Sequence, residues 1–347
     1  MYDTIVIGAG QAGLASSYYL KKANKKFIVI DKCNEIGEAW KERYDSLVLF
    51  TPRMYSSLPG LPLTGDQQGL PVKDEVVKYL KEYVEKFQLP VQLNEKIEHV
   101  SKVGNYFLVK TNKNEYKAQN VIVATGPFQT PNIPEFSKQL PNTIHQLHSS
   151  SYKNPDQLVE GNVLVVGGGN SGAQIAVELS KVKETYLAVS NKINYLPLNI
   201  FGKSIFWWFG KLGILQASNN SLLGKVIQKK GDPIFGFELK QAIKKKEVNI
   251  KKRVVGIEKN QLIFGDGTTL QVNNIIWATG FKTEFPWLQI KDVLDNKGKV
   301  IHNRGVSTVE GLYFIGLPWQ YRRGSALLQG VGYDAKYIVS KMNIKKN

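Results

Sequence analysis

Two groups of glycines in this 347-residue chain have the spacing of a phosphate-binding turn. Gly8, Gly10 and Gly13 form Gly-x-Gly-x-x-Gly directly after the apolar run TIVI, and Gly167, Gly169 and Gly172 repeat the pattern after VLVV. At a strand-to-helix turn, the first glycine permits tight bending, the second lets backbone approach a pyrophosphate, and the third lets helix pack against strand. The helix N-terminus then supplies N–H donors and a partial positive charge. Gln11 and Ala12 in the first loop, and Asn170 and Ser171 in the second, are expected to lie along the phosphates. A single fingerprint of this kind arises easily by chance, so the surrounding residues carry the weight.

The residues downstream of the two loops differ. Asp31 stands 23 positions after Gly8, where a carboxylate would accept hydrogen bonds from ribose hydroxyls, with Lys32 beside it. That acid favours FAD or NAD. Ser190 stands 23 positions after Gly167, and Lys192 follows two residues on. A hydroxyl does not repel a 2′-phosphate and a lysine can pair with it, so NADPH is the expected second nucleotide, with NADH as the alternative. Each unit then closes on an apolar strand ending Ala-Thr-Gly: Ala124, Thr125 and Gly126 in the first, Ala278, Thr279 and Gly280 in the second. A chain that holds two kinds of nucleotide is built to move hydride between them.

These loops require a strand, a turn and a helix on either side, and the pattern provides them twice. Strand, glycine turn, helix and strand run from Thr4 to Asp31, and again from Val163 to Ser190. The segment 74–87, DEVVKYLKEYVEKF, reads as an amphipathic helix with Asp74 as its cap. Turns are expected at VGN (103–105) and GDGT (265–268), and the proline-rich stretch 127–141 reads as a stiff crossing between units. The expected fold is α/β with two dinucleotide-binding, Rossmann-like domains. Residues 1–155 and 281–347 would form one domain, with 156–280 inserted as the other.

Composition narrows the function classes. Apolar residues at 42% and charged residues at 22% describe a globular protein. The net charge of +17 comes mostly from scattered lysines without an arginine stripe, so no nucleic-acid partner is expected. Cys33 is the only cysteine, which excludes a Cys-x-x-Cys relay and a multi-cysteine metal site, and no metal is expected. The strand pattern starting at Thr4 leaves no room for a signal peptide, and no run is long enough to span a bilayer, so cytoplasmic residence is the expectation. The aromatic block FGKSIFWWFGKLG (201–213) is expected to pack in the core or wall a substrate entrance rather than touch a membrane.

At GEAWKERYDSLVLFTPRMYSSLPGLP (37–62) the chain resembles bacterial flavin-containing-monooxygenase-like oxidoreductases, some of which carry names tied to cation efflux. The resemblance takes in both glycine loops, both Ala-Thr-Gly endings and GLYFIGLPWQYRRGSALLQGVGYDAKYI (311–338), and so covers nearly the whole chain. It implies the two-domain arrangement of the glutathione-reductase type, with the NAD(P) domain inserted into the FAD domain. It further implies that Gly37, Trp40, Arg43, Thr51 and Pro52 line a flavin cavity and that Val100 sits beside the adenine. Gly316 would approach the pyrophosphate or ribityl chain, and Leu328 and Gln329 would lie near the isoalloxazine. The family's linker motif, Phe-x-Gly-x-x-x-His-x-x-x-Tyr/Phe, is half present: His148 and Tyr152 stand in place, but Asn142 and Ile144 replace the Phe and Gly.

The resemblance implies an NADPH-dependent monooxygenase that oxygenates a nitrogen, sulfur or ketone centre of a small molecule through a C4a-hydroperoxyflavin, with molecular oxygen as co-substrate and a homodimer as the oligomeric expectation. The flavin and nicotinamide would carry most of the chemistry, and no side chain is assigned as catalytic. His148 reads as a positioning histidine bonded to backbone. Two alternatives stay open: a flavin reductase passing electrons to a quinone, disulfide or partner protein, and a non-enzymatic redox-sensing or transport-accessory flavoprotein.

Overall fold

Short runs of β-branched residues build two parallel sheets. The computed structural model describes residues 1–342; the end of the expected first domain, 343–347, lies outside the described residues. The chain begins with β1 (Tyr2–Ile7), α1 (Gln11–Lys22) and β2 (Phe27–Ile30). It continues through α2 (Lys73–Lys86), β3 (Val91–Gln92), an antiparallel pair β4 (Ile97–Val103) and β5 (Tyr106–Thr111), and β6 (Glu115–Val123). Helix α2 covers the expected amphipathic segment, but its cap is Val72. Asp74 lies inside the first turn, and the Glu75 carboxylate accepts from the Val72 N–H instead.

The second unit comprises β7 (His145–His148), β8 (Val163–Val166), α3 (Asn170–Leu179), β9 (Thr185–Val189), α4 (Ile205–Lys211), α5 (Leu222–Lys230), α6 (Glu238–Lys244) and β10 (Val248–Lys252). An antiparallel trio follows, β11 (Val254–Glu258), β12 (Gln261–Phe264) and β13 (Thr269–Leu270), then β14 (Asn274–Trp277). The chain returns to the first sheet as β15 (Leu312–Phe314) and closes with α7 (Leu328–Lys341).

Parallel strands β3-β2-β1-β6-β15 form the centre of the first sheet, and β10-β9-β8-β14-β7 form the second. Strand β7 pairs with β14 although it precedes residue 155. Residues 145–148 thus lie in the second sheet, ahead of the expected boundary, because the backbone groups of the β14 edge are satisfied there.

Both sheets are buried on both faces, which is why their strands read as continuous apolar runs rather than alternating ones. Val6 packs with Leu14, Val331 and Ile338 of α1 and α7, while its neighbours Ile5 and Ile7 face Phe107, Phe285 and Leu288. In the second sheet Val163 and Val165 face Ile175 and Leu239, and Leu164 faces Phe264 and Trp277. The two crossings between the sheets run side by side: Phe281 pairs with Pro131 and Lys282 with Thr130. Among the described residues, no helix is long and apolar enough to cross a membrane.

Candidate functional site

The two glycine turns have the same construction. Gly8 has φ +106°, and a Cβ there would sit 2.7 Å from the Ala124 carbonyl oxygen; Gly167 has φ +122°, and its Cβ would sit 2.2 Å from the Ala278 oxygen. A Cβ on Gly13 would fall 1.8 Å from the Gly8 oxygen, and one on Gly172 would fall 2.0 Å from the Gly167 oxygen. These contacts explain why the first and third positions of each loop are glycine opposite the end of the last strand. The last strand delivers its alanine against the first glycine, with the Ala124 N–H donating to Ile7 and the Ala278 N–H to Val166, both at 2.8 Å. Thr125 and Gly126 follow, half-buried, at the end of β6.

The middle glycines differ in kind. A Cβ at Gly10 or Gly169 would meet nothing within 4 Å. Each caps its helix in extended backbone without a side-chain cap, and the first three N–H groups of α1 and of α3 have no backbone partner among the described residues. Open space in front of three oriented donors at the positive end of a helix fits a pyrophosphate.

Around the first turn the chain gathers residues from distant segments. Asp31 accepts from the Ala9 N–H and, at 2.8 Å, from the Cys33 N–H, so its carboxylate ties the loop to the end of β2. Lys32 is exposed. Gln11 accepts from the Trp40 indole at 3.4 Å and donates to the Ala326 oxygen at 3.3 Å, joining the 37–43 segment to the closing segment. Gly37 caps the one-turn helix Glu38–Lys41 in left-handed backbone, close against Val77. Gly316 lies against Ala12, and Leu328 opens α7 with Gln329 next in line. The Thr51 hydroxyl accepts from Ser56 at 3.0 Å, and Pro52 precedes the short 3-10 turn Arg53–Tyr55. Val100 is fully buried in the cluster that holds Ile7 and Ile30, and its N–H donates to Trp287 while its carbonyl accepts from Gln289.

Around the second turn, Asn170 spends its side chain holding the loop at Pro233 and Phe235. Ser171, Ser190 and Lys192 are exposed, so no side chain shields the mouth beside Ser190. The Thr279 hydroxyl donates to Asn132, and the Gly280 carbonyl accepts from Asn132 N–H at 3.0 Å and contacts His148 Nε2 at 2.9 Å. The second Ala-Thr-Gly is therefore stitched to the crossing.

The junction of the two units holds groups that motif reading alone does not find. The Tyr44 hydroxyl donates to Gln174 at 2.8 Å, and Gln174 donates to the Val48 carbonyl at 3.0 Å, so α3 is pinned to the 44–48 segment. The Arg43 guanidinium stacks over Phe128 and Phe281, 5.3 and 5.0 Å from the ring centroids, where both crossings begin. His148 Nδ1 takes the Ser150 N–H, leaving Nε2–H for Gly280. Burial, with the Arg43 charge nearby, holds this imidazole below the usual histidine range and neutral. Burial, then Asp31, pushes the Cys33 thiol up to about 12, so it stays protonated. Phe206 of the aromatic block packs against Phe235 and Phe50 in the core, and Gly210 of the block walls an open cavity together with Leu215 beyond it.

Two glycine-turn helices whose N-termini carry no side-chain cap, set on parallel sheets, define an α/β fold of the flavoprotein class. The chain belongs to the pyridine nucleotide-disulphide oxidoreductase family, which matches residues 5–194, and residues 188–309 match the flavin-binding monooxygenase-like family. It is 65% identical over 99% of both chains to the uncharacterized oxidoreductase CzcO of Bacillus subtilis. It superposes on a flavin-containing monooxygenase from Stenotrophomonas maltophilia with TM-score 0.83 and 27% identity, covering 98% of this chain and 97% of that one. A bacillithiol disulfide reductase from Staphylococcus aureus shares the fold at TM-score 0.72 and 17% identity, covering 100% and 99%. The protein is an oxidoreductase, and OTEMO, which shares its fold at TM-score 0.69 and 15% identity, is a complex with FAD and NADP.

Proposed function

We propose that the protein is an NADPH-dependent flavin monooxygenase with the two-domain arrangement of the glutathione-reductase type. Residues of the first sheet and the returning segment hold FAD, and the inserted second unit holds NADPH. The observation that carries this reading is the pair of matched turns, each with three uncapped N–H groups facing open space, of which only the first has a carboxylate at the end of its second strand. FAD and NADPH, when bound, supply hydride transfer and oxygen activation.

The chain's own residues bind, orient and exclude water. The α1 and α3 N-termini take the two pyrophosphates. Asp31 keeps free lone pairs for a ribose hydroxyl while bracing the loop through Ala9 and Cys33. Gln11 fixes the angle between Trp40 and the start of α7, where the flavin ring is to lie. Tyr44, Gln174 and the paired crossings hold the two units in one orientation, which hydride transfer at contact distance requires. His148 is a neutral backbone donor that positions the crossing and moves no proton.

The test is oxygen incorporation. With NADPH and oxygen-18 gas, the purified flavoprotein should place one labelled atom in a small nitrogen, sulfur or ketone substrate per NADPH consumed. Stoichiometric hydrogen peroxide with every class tried, together with fast oxygen-independent turnover of quinones or disulfides, would replace this reading with the plain reductase.

A further inference from the structure

An open cavity of about 430 Å³ lies between the 54–59 segment, the end of the aromatic block and the start of α7, with Met54, Leu58, Leu215, Leu328 and Gln329 among its walls. Its one charged wall residue is Arg322, which is only 8% exposed. Its neighbour Arg323 is engaged with Asp232 at 3.0 Å. Arg322 has no such partner: its Nε is buried without a hydrogen bond, and no ion pair reaches it among the described residues. Its guanidinium is held by ring faces instead, 4.6 Å from Tyr333 and 5.4 Å from Tyr321.

Stacking satisfies the flat face of a guanidinium and leaves the in-plane N–H edge free, which is the edge that takes a carboxylate in two parallel bonds. The local charge count points the same way. The fully buried Asp334 acts on both Arg322 and Arg304, and its ion pair, at 3.4 Å, is with Arg304. Two guanidinium groups thus face one carboxylate, whose direct contact is with Arg304, and Arg322 is left without a carboxylate at ion-pair distance among the described residues. The remaining walls set apolar Met54, Leu58, Leu215 and Leu328 beside polar Ser57, Gln216 and Gln329, which suits a single carboxylate on a carbon skeleton that can also exchange hydrogen bonds with the wall.

We propose that Arg322 anchors the carboxylate of a small carboxylic acid in this cavity, directing its other end toward Leu328 and Gln329. The inference deepens the oxygenase reading and rests on it for the flavin's place beside those two residues. The test is equilibrium binding to the oxidised flavoprotein, without NADPH, using phenylacetate and its neutral isostere phenylacetamide. Wild-type protein should bind the carboxylate and prefer it. Arg322→Met should weaken the carboxylate by about 30-fold or more and leave the amide unchanged. Arg322→Lys, which keeps the charge and loses the planar fork, should fold with full flavin content and still lose most of the preference. Equal binding of acid and amide by wild-type protein, no binding of either, or unchanged carboxylate affinity in the Lys and Met variants would overturn the proposal. Because no turnover is measured, a protein that binds the acid and never oxygenates refutes the oxygenase reading alone.

Discussion

Alanine at Gly169 and at Gly172 should damage the second loop in opposite ways. At Gly172 a Cβ would fall 2.0 Å from the Gly167 oxygen and 3.3 Å from the Ala278 Cβ, so α3 must move away from the turn by more than about 1 Å to restore van der Waals contact. Overpacking of that kind costs about 1–3 kcal/mol, which for a unit of this size lowers its melting temperature by about 2–4 °C per kcal/mol. At Gly169 the backbone, φ −82° and ψ 178°, is ordinary for any residue and the added methyl meets nothing. The weaker cap and the reduced entropy of the unfolded chain each contribute less than about 1 kcal/mol, with opposite sign, so stability should change little. That methyl, however, stands in front of the three free N–H groups of α3. Gly169→Ala should therefore keep its melting temperature and flavin content yet lose more than about tenfold in NADPH affinity, whereas Gly172→Ala loses stability as well. Flavin absorbance, calorimetry and the rate of anaerobic flavin bleaching by NADPH separate the two. Equal destabilisation by both variants, or normal bleaching in Gly169→Ala, would refute the assignment of space and ligand.

Further outcomes test neighbouring groups. Lys192→Ala should raise the Michaelis constant for NADPH more than that for NADH, and an equal effect would remove this lysine from 2′-phosphate recognition. The Cys33 thiol, pushed up to about 12 by burial and then by Asp31, should react with Ellman's reagent at pH 8.5 far more slowly than an ordinary thiol; a normal rate would contradict its protonated state. Because the folded pKa of His148 lies below its unfolded value, the unfolded chain binds more protons as pH falls through the unfolded value of about 6.5. The stabilisation is thus present at neutral pH and lost in mild acid, so the melting-temperature gap between wild type and His148→Asn should be largest near pH 7.5 and shrink toward pH 5.5. A gap that widens in acid would reverse the assignment.

The repeated architecture was legible because its signals are local. Glycine spacing, β-branched runs and the turns at 103–105 and 265–268 each follow from φ/ψ preference and side-chain period over a few residues. The matched Ala-Thr-Gly endings are visible as a pattern, but the contact they make, a carbonyl pressed against the first glycine of each loop, exists only across strands more than a hundred residues apart. The cap of α2 falls at Val72 rather than at Asp74, because Asp74 and Glu75 are both acidic and only the folded turn brings Glu75 back to the Val72 N–H.

Sequence by itself determined that two nucleotide turns exist, that their downstream residues differ as Asp31 differs from Ser190, and that no cysteine pair is available. The tertiary structure decided what those residues are free to do. Val100 has its backbone paired with Trp287 and Gln289, Thr279 and Gly280 are bonded to the crossing, and His145–His148 joins the second sheet. It also decided that, of two adjacent arginines, Arg323 meets an acid and Arg322 does not. The physical reason is range. Backbone preference is written into neighbouring residues, whereas the balance of buried charge and hydrogen bonds is settled by whichever distant segments the fold brings into contact.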